Sequence, residues 1–405
     1  MTGSKAETRP SRLAALDVLR GMAVAGMIVV TSPGDWNRAY APLKHADWHG
    51  WTLTDMVFPA FLFSVGVALG LSFPRPMSDP ASRRQYWLRV GRRTAALILL
   101  GLFLEATYVW SISLGATSPG QGGLDHIRIP GVLQRIALCY ALAAILVAVT
   151  ARRDEAGRAD VNAGAIGAAI TAALLLYWAL LTFVPVPGYG AGQLGPAGNL
   201  AAYVDRAIFT VPHLWPLGAE TWGGPVVYDP EGLLSSLPAT ANVLFGVLAA
   251  FAFRRAPGRA VLFIAGGGAA LLAAGLLLDP LFPINKRIWT SSFALLSSGF
   301  SALVLAALMA ALRSGRAARL VAPFRILGGN AILAFVLSTL LGRIYGFPFS
   351  AEGGTPLGPQ QWMNARALAV LADPYLASLA CALAMLALVT LMIWPLHRRA
   401  IHFRL

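Results

Sequence analysis

Charge is scarce in this chain: Asp, Glu, Lys and Arg make up 12% of its 405 residues, and only 18 residues are acidic. A soluble domain carries about twice that charged share, so the composition excludes an ordinary water-facing globule. Cysteine is scarcer still. Cys139 and Cys381 are the two present, and both fall in apolar runs, which argues against a disulfide framework or a cysteine-built zinc site. No cleavable leader is expected either, because the first apolar run contains Asp17 and Arg20 and has no clear small-residue cleavage site; it reads as a retained helix. No internal repeat is evident, so the main sequence sign of an inverted-repeat transporter is missing.

Apolar residues fill the space that charge leaves. They make up 57% of the chain, the mean hydropathy is +0.64, and they gather in runs long enough to cross about 30 Å of hydrocarbon as helices. Ten spans are predicted, over residues 13–33, 54–73, 94–110, 131–150, 163–184, 232–253, 260–278, 288–312, 320–341 and 376–395. The fold class is therefore all-α: a polytopic membrane helical bundle of about ten transmembrane helices. It forms a single integral-membrane domain over 1–405, with a tail at 1–12, a long loop at 186–231 and a second tail at 396–405.

The net charge of +14 would suggest nucleic acid in a soluble protein, but its distribution gives it another meaning. Lys5, Arg9 and Arg12 precede the first span; Arg75, Arg83, Arg84, Arg89, Arg92 and Arg93 follow the second; Arg152, Arg153 and Arg158 follow the fourth. Arg254, Arg255 and Arg259 follow the sixth, Arg313, Arg316, Arg319 and Arg325 the eighth, and Arg398, Arg399 and Arg404 the tenth. Basic loops stay in the cytoplasm, so both termini are expected there. The excess marks orientation and attraction to membrane lipids, not nucleic acid. Short loops rich in Arg, Ala and Gly suit a bacterial inner membrane. Long loops fall on the other side, and within the last of them Gln360–Asp373 has the spacing of an interfacial helix.

One run on that outer side concentrates titratable groups where the first span gives way to the second: His45-Ala-Asp47-Trp-His-Gly-Trp-Thr-Leu-Thr-Asp55-Met-Val-Phe-Pro59. Ionisable groups at the edge of hydrocarbon are costly to keep and mark a functional site by default. Other polar residues at that level are Glu105, Gln134, Arg135, Glu231, Asn285, Lys286, Arg287 and Arg343, while Asp17, Arg20, Arg325 and Asn330 lie at the opposite end. Plainer readings stand beside these. Asp17 and Arg20 share a helix face and suit a structural ion pair; Arg135 and Lys286 suit snorkelling to headgroups; Trp36, Tyr40, Trp48 and Trp51 suit interface anchors. The same polar lining also fits a transporter or flippase of a sugar or lipid-linked precursor, with His45 and Asp55 coupling protons.

Several motifs in order resemble the heparan-alpha-glucosaminide N-acetyltransferase family. They are Arg12-Leu-Ala-Ala-Leu-Asp17-Val-Leu-Arg20-Gly21, the run from Lys44 through Pro59, Ile129-Pro-Gly-Val-Leu-Gln134-Arg135-Ile, Tyr228-Asp-Pro-Glu-Gly232, Asn285-Lys286 and Gly328-Gly-Asn330. The resemblance implies a membrane-embedded acyltransferase that takes acetyl from cytoplasmic acetyl-CoA and delivers it to an amino sugar or glycan acceptor outside. His45 matches the family's catalytic histidine. Two departures stand out. Thr31-Ser-Pro-Gly34 replaces a stretch that carries an asparagine in those members, and their large lumenal amino-terminal domain has no counterpart.

Acyl transfer to an amine needs a base, donors for the developing oxyanion and exclusion of water. His45 is the expected general base, with Asp47 or Asp55 orienting its ring; an acetyl-histidine intermediate is the alternative. The donor-binding set is Asp17, Arg20, Gln134, Arg135, Lys286, Arg325 and Asn330, with the phosphates near Arg20 and Arg325 and the thioester or acceptor near Arg135 and Lys286. No metal is expected, and a homodimer is left open.

Overall fold

A backbone that crosses hydrocarbon must satisfy its own polar groups, and a helix does so within one segment. The computed structural model follows that constraint over the residues it describes: 14–73, 80–116, 120–153, 159–219, 222–313, 318–352 and 355–403. The amino-terminal tail with Lys5, Arg9 and Arg12 lies outside the described residues, as do Arg75, Arg158, Arg316 and Arg404. Thirteen α-helices occur among the described residues, in the order α1 Ala14–Thr31, α2 Val57–Ser72, α3 Pro80–Ser113, α4 Val132–Val149, α5 Ala163–Phe183, α6 Leu200–Phe209 and α7 Ser236–Arg255. They continue with α8 Ala260–Leu278, α9 Ser291–Arg313, α10 Ala322–Gly329, α11 Ala331–Tyr345, α12 Pro359–Leu371 and α13 Pro374–Arg398. Among the described residues, strand is confined to two short antiparallel pairs, β1 Arg152–Arg153 with β2 Ala159–Asp160, and β3 Ser350–Glu352 with β4 Thr355–Leu357.

Among the described residues, nine helices are long and apolar enough to cross a bilayer, and α10 with α11 form a tenth, broken element. The chain is an integral membrane protein. Burial sorts the helices into layers: 78% of the apolar window ending in α2 is buried, against 17% for α8. A helix apolar all round is central when buried by protein and peripheral when left to lipid. Thus α2, α7 and α9 form the core, while α8 and α5 pack outside it.

Glycine lets the central backbones meet. A Cβ on Gly66 of α2 would lie 1.7 Å from the Val243 carbonyl oxygen of α7, and one on Gly246 of α7 would lie 2.1 Å from the Phe63 carbonyl oxygen. The same device joins α1 to α10, where a Cβ on Gly328 would lie 1.7 Å from the Asp17 carbonyl oxygen. Without a hydrophobic drive between helices in lipid, such close packing is what associates them.

The ninth span differs from the continuous helix predicted over 320–341. It bends by 86° between α10 and α11. Asn330 stands at the break, its φ of −134° outside the helical range. Its side-chain amide donates to the Ile401 carbonyl at 3.0 Å and its oxygen accepts the Phe403 N–H at 2.8 Å, so the carboxy-terminal segment fills the break. Hydropathy alone does not register such a turn, because both halves are apolar. The third span also differs: α3 begins at Pro80, carrying the Arg83–Arg93 stretch on about four extra helical turns. A helix is present over most of the stretch 360–373, as α12, followed by an Asp373 cap that accepts from the Tyr375 and Leu376 N–H groups of α13.

Candidate active site

The loop from α1 to α2 folds across the end of the bundle and is tied to the loop that precedes α9. Gly50, at φ +93° where a side chain would be strained, donates its N–H to the Ile284 carbonyl at 2.7 Å. That bond and the adjoining Gly50–Asn285 bridge bring Asn285, Lys286 and Arg287 alongside the His45 loop. Trp48 closes the wall: its indole N–H donates to the Leu194 carbonyl at 2.9 Å, and its ring meets Tyr228 edge-on at 5.1 Å. Trp48 is therefore a packed element of the site, whereas Trp36 and Trp51 are exposed in the way expected of interface anchors.

At the centre, Nδ1 of His45 lies 2.6 Å from Oδ1 of Asp55. Asp55 is buried, and its second oxygen accepts the Ala46 N–H at 3.1 Å and the Thr52 N–H at 2.9 Å. A carboxylate so fixed holds the imidazole with Nδ1 as donor, which leaves the Nε2 lone pair available. Burial and the nearby Lys286 ammonium push the His45 pKa down to about 4 against the pull of Asp55, so the ring is neutral at ordinary pH. Asp47 is exposed; Asp55 is the carboxylate that meets the ring.

Cations gather beside this pair. Lys286 is buried, and desolvation lowers its pKa while Glu231 pulls it back up. Arg135, at the start of α4, is 1% exposed; its Nη2 donates to the Gly232 carbonyl at 2.8 Å and to Ser235, while Nε and Nη1 are buried with no partner. Its guanidinium lies 5.0 Å from the centroid of Trp289. Trp289 is itself fully buried at φ +53°, with its indole N–H donating to Asn242 Oδ1 at 2.9 Å. A bulky side chain held in that left-handed conformation marks a tightly determined turn, and this turn aims Lys286 and Arg287.

Behind the cations lies a buried ion cluster. Arg128 forks onto Asp229, with Nε to Oδ2 at 2.8 Å and Nη2 to Oδ1 at 2.5 Å, and also reaches Glu231. The two carboxylates raise the Arg128 pKa well above its ordinary value despite burial, and Arg128 with Lys286 draws Glu231 down against its own burial. Arg128 and Asp229 were absent from the expected site residues, as were Asn242 and Trp289. A signal for the first two was present, since Asp229 sits inside Tyr228-Asp-Pro-Glu-Gly232 and Arg128 directly precedes Ile129-Pro-Gly.

The expected site residues divide between the two ends of the bundle. His45, Asp55, Arg135 and Lys286 come together, with Gln134 one residue from Arg135 on α4. Asp17, Arg20, Arg325 and Asn330 lie at the other end, on α1, on α10 and at the α10–α11 break. There Arg20 pairs with Asp17, Arg325 is exposed, and Asn330 holds the carboxy-terminal segment. Among the described residues no group of three or more His, Cys, Asp or Glu side chains is placed to hold a metal ion.

The model of the family described as heparan-alpha-glucosaminide N-acetyltransferase, catalytic, matches residues 12–182. Human (Homo sapiens) heparan-alpha-glucosaminide N-acetyltransferase is 28% identical over 365 residues, covering 81% of this chain and 52% of the human protein. The chain is similar to the heparan-alpha-glucosaminide N-acetyltransferases. The mouse (Mus musculus) protein of that name is likewise 28% identical, over 384 residues that cover 85% of this chain and 56% of its own length. The chain thus spans about half the length of these N-acetyltransferases. The segment matched by the family's catalytic model contains His45, Asp55, Arg128 and Arg135, and ends before Glu231 and Lys286.

Proposed function

We propose that this chain is a transmembrane acetyltransferase that moves an acetyl group from cytoplasmic acetyl-CoA to an extracytoplasmic amino sugar, with His45 at the reacting centre. The observation that carries this reading is the neutral His45 ring, tethered by Asp55 and faced by Lys286. A protonated amine must first shed one proton to solvent, and the neutral amine then gives its second N–H proton to Nε2 as it attacks. The amine nitrogen then bonds to the thioester carbonyl carbon, negative charge develops on the carbonyl oxygen, and the C–S bond breaks. The imidazolium returns its proton to the leaving thiolate, so the products are the amide and the free thiol. In the two-step variant Nε2 itself attacks, forms an acetyl-imidazole and releases the thiol before the amine arrives.

Lys286 and the two unpartnered Arg135 nitrogens are the donors available to the oxyanion. Cations placed beforehand in a dry site stabilise developing charge without reorganising. The bundle below is apolar: Met27, Val57, Phe58, Leu133 and Phe335 line a gap of about 10 Å³ between α1, α2, α4 and α11. A wall of that kind protects a thioester from hydrolysis.

The test is transfer of label from acetyl-CoA to a panel of amino sugars by the purified protein, wild type against His45→Ala. Label transfer that depends on His45 and needs no proton gradient is the expected result. Substrate movement driven by a gradient, with no thiol release, would replace the enzyme with a carrier.

A further inference from the structure

We infer that a second site, at the far end of the bundle from His45, binds a phosphate group. A cavity of about 180 Å³ opens where the carboxy-terminal end of α2 meets α3 and α4, bounded by Ser72, Tyr86, Arg89, Arg92, Arg93 and Tyr140 among its lining residues. Three guanidinium groups share this lining, and among the described residues no carboxylate does. Nearby Asp160 is already engaged by Arg254 and Arg255. The guanidinium of Arg93 lies 4.5 Å from the centroid of Tyr140, and its Nε is buried with no partner.

This arrangement differs from a solvated basic face. Arg83 and Arg84, one to three turns earlier on α3, line no part of the cavity, whereas Arg89 and Arg92, exposed like them, do. Arg93 instead is held against an aromatic face with a donor turned away from water, and Tyr86 is fixed by donating its hydroxyl hydrogen to the Ala144 carbonyl at 2.8 Å. A concave cluster of like charges raises its own energy until an anion enters, and guanidinium geometry matches phosphate oxygens in pairs. The cavity also sits beside exposed Trp87 and Leu88 of α3, and an exposed tryptophan next to arginines suits the zone between polar headgroups and hydrocarbon. Basic pockets between membrane helices bind anionic headgroups by this chemistry. The phosphates of a soluble acyl donor present the same chemistry, so the experiment needs both arms. The site stands on its own geometry, whatever His45 does.

The full chain is purified in detergent and in lipid nanodiscs, as wild type, as the Arg92→Gln/Arg93→Gln double variant and as the charge-matched control Arg83→Gln/Arg84→Gln. One arm measures retained phosphatidylglycerol against phosphatidylcholine by native mass spectrometry; the other titrates CoA, with phosphate-free pantetheine as comparison. In whichever arm the site acts, the cavity double variant loses binding by about tenfold or more while the control retains it. Arg93→Lys, which keeps charge and gives up the paired geometry, falls between them and guards against a variant that fails to fold. Equal loss in both double variants, or no loss in either arm, overturns the assignment. His45→Ala leaves binding intact, which separates this site from the acetyl-transfer reading.

Discussion

Gly50 donates a 2.7 Å hydrogen bond to Ile284, joining two loops that are more than two hundred residues apart in sequence. Through that link the His45 loop and the Lys286 turn become one surface. Replacing Gly50 with Val strains a backbone held at φ +93° and disturbs the register of the two loops. The expected outcome is a fall in acetyl transfer of roughly tenfold or more with the fold retained, as for misplaced reacting groups in general. Transfer kinetics beside a melting curve check it, and unchanged kinetics would show that the link is not needed.

Asp55→Asn keeps the shape of the side chain but removes the charge that sets the imidazole tautomer. Transfer is expected to drop by roughly 10²–10⁴-fold, with donor affinity little altered. Asp47→Asn, on an exposed position, is expected to stay close to wild type. Steady-state thiol release for the two variants decides this, and comparable losses would remove Asp55 from its orienting role.

The pH dependence follows from the depressed His45 pKa. With that pKa at about 4, the basic form persists down to that pH, so the acid limb of kcat/KM falls near 4 and not near the ordinary value of about 6.5. Lys286→Gln removes one of the two groups that depress it and moves the limb upward. The same linkage acts on stability: the unfolded ring takes its proton at about 6.5, before the folded ring does. Stability from the neutral ring is therefore full above about 6.5 and is lost as pH falls toward 4. A wild-type inflection near 6.5, unmoved by Lys286→Gln, would contradict the assignment.

Arg128→Ala strands Asp229 and Glu231 inside the protein. Breaking a buried ion cluster by removing one partner costs about 3–5 kcal/mol, so a large fall in melting temperature is expected. Arg128→Lys keeps charge, gives up the fork, and is expected to lie between. A melting temperature within a degree or two of wild type for Arg128→Ala would show the cluster to be dispensable.

Gly328→Leu is expected to push α10 away from α1, because even a Cβ there would meet the Asp17 carbonyl oxygen at 1.7 Å. Gly342→Leu on α11, with open space around its Cβ position, is the matched control. Proteolysis and melting in detergent distinguish the two, and equal tolerance would mean that α10 is not held by this contact.

Much of the site was legible in sequence, for a physical reason. Polar groups at the edge of hydrocarbon are expensive, so His45, Asp55, Arg135 and Lys286 stood out against an apolar background. Arg128 and Asp229 were quieter because each lies in a loop, where charge is ordinary. Only their mutual burial gives them meaning. Asn242 and Trp289 were hidden for the opposite reason, since a lone amide and an indole inside apolar runs read as packing until their 2.9 Å hydrogen bond is seen.

Composition and hydropathy by themselves determined that this chain is an all-helical membrane protein and roughly where most of the long apolar helices run, because the thickness of hydrocarbon sets the length of every apolar segment. Tertiary structure alone decided that Asp55 and not Asp47 meets His45, that Lys286 joins them, and that the span around Asn330 turns by 86°. Those outcomes depend on contacts between segments far apart in the chain. Local hydropathy holds no record of which loops will be stitched together.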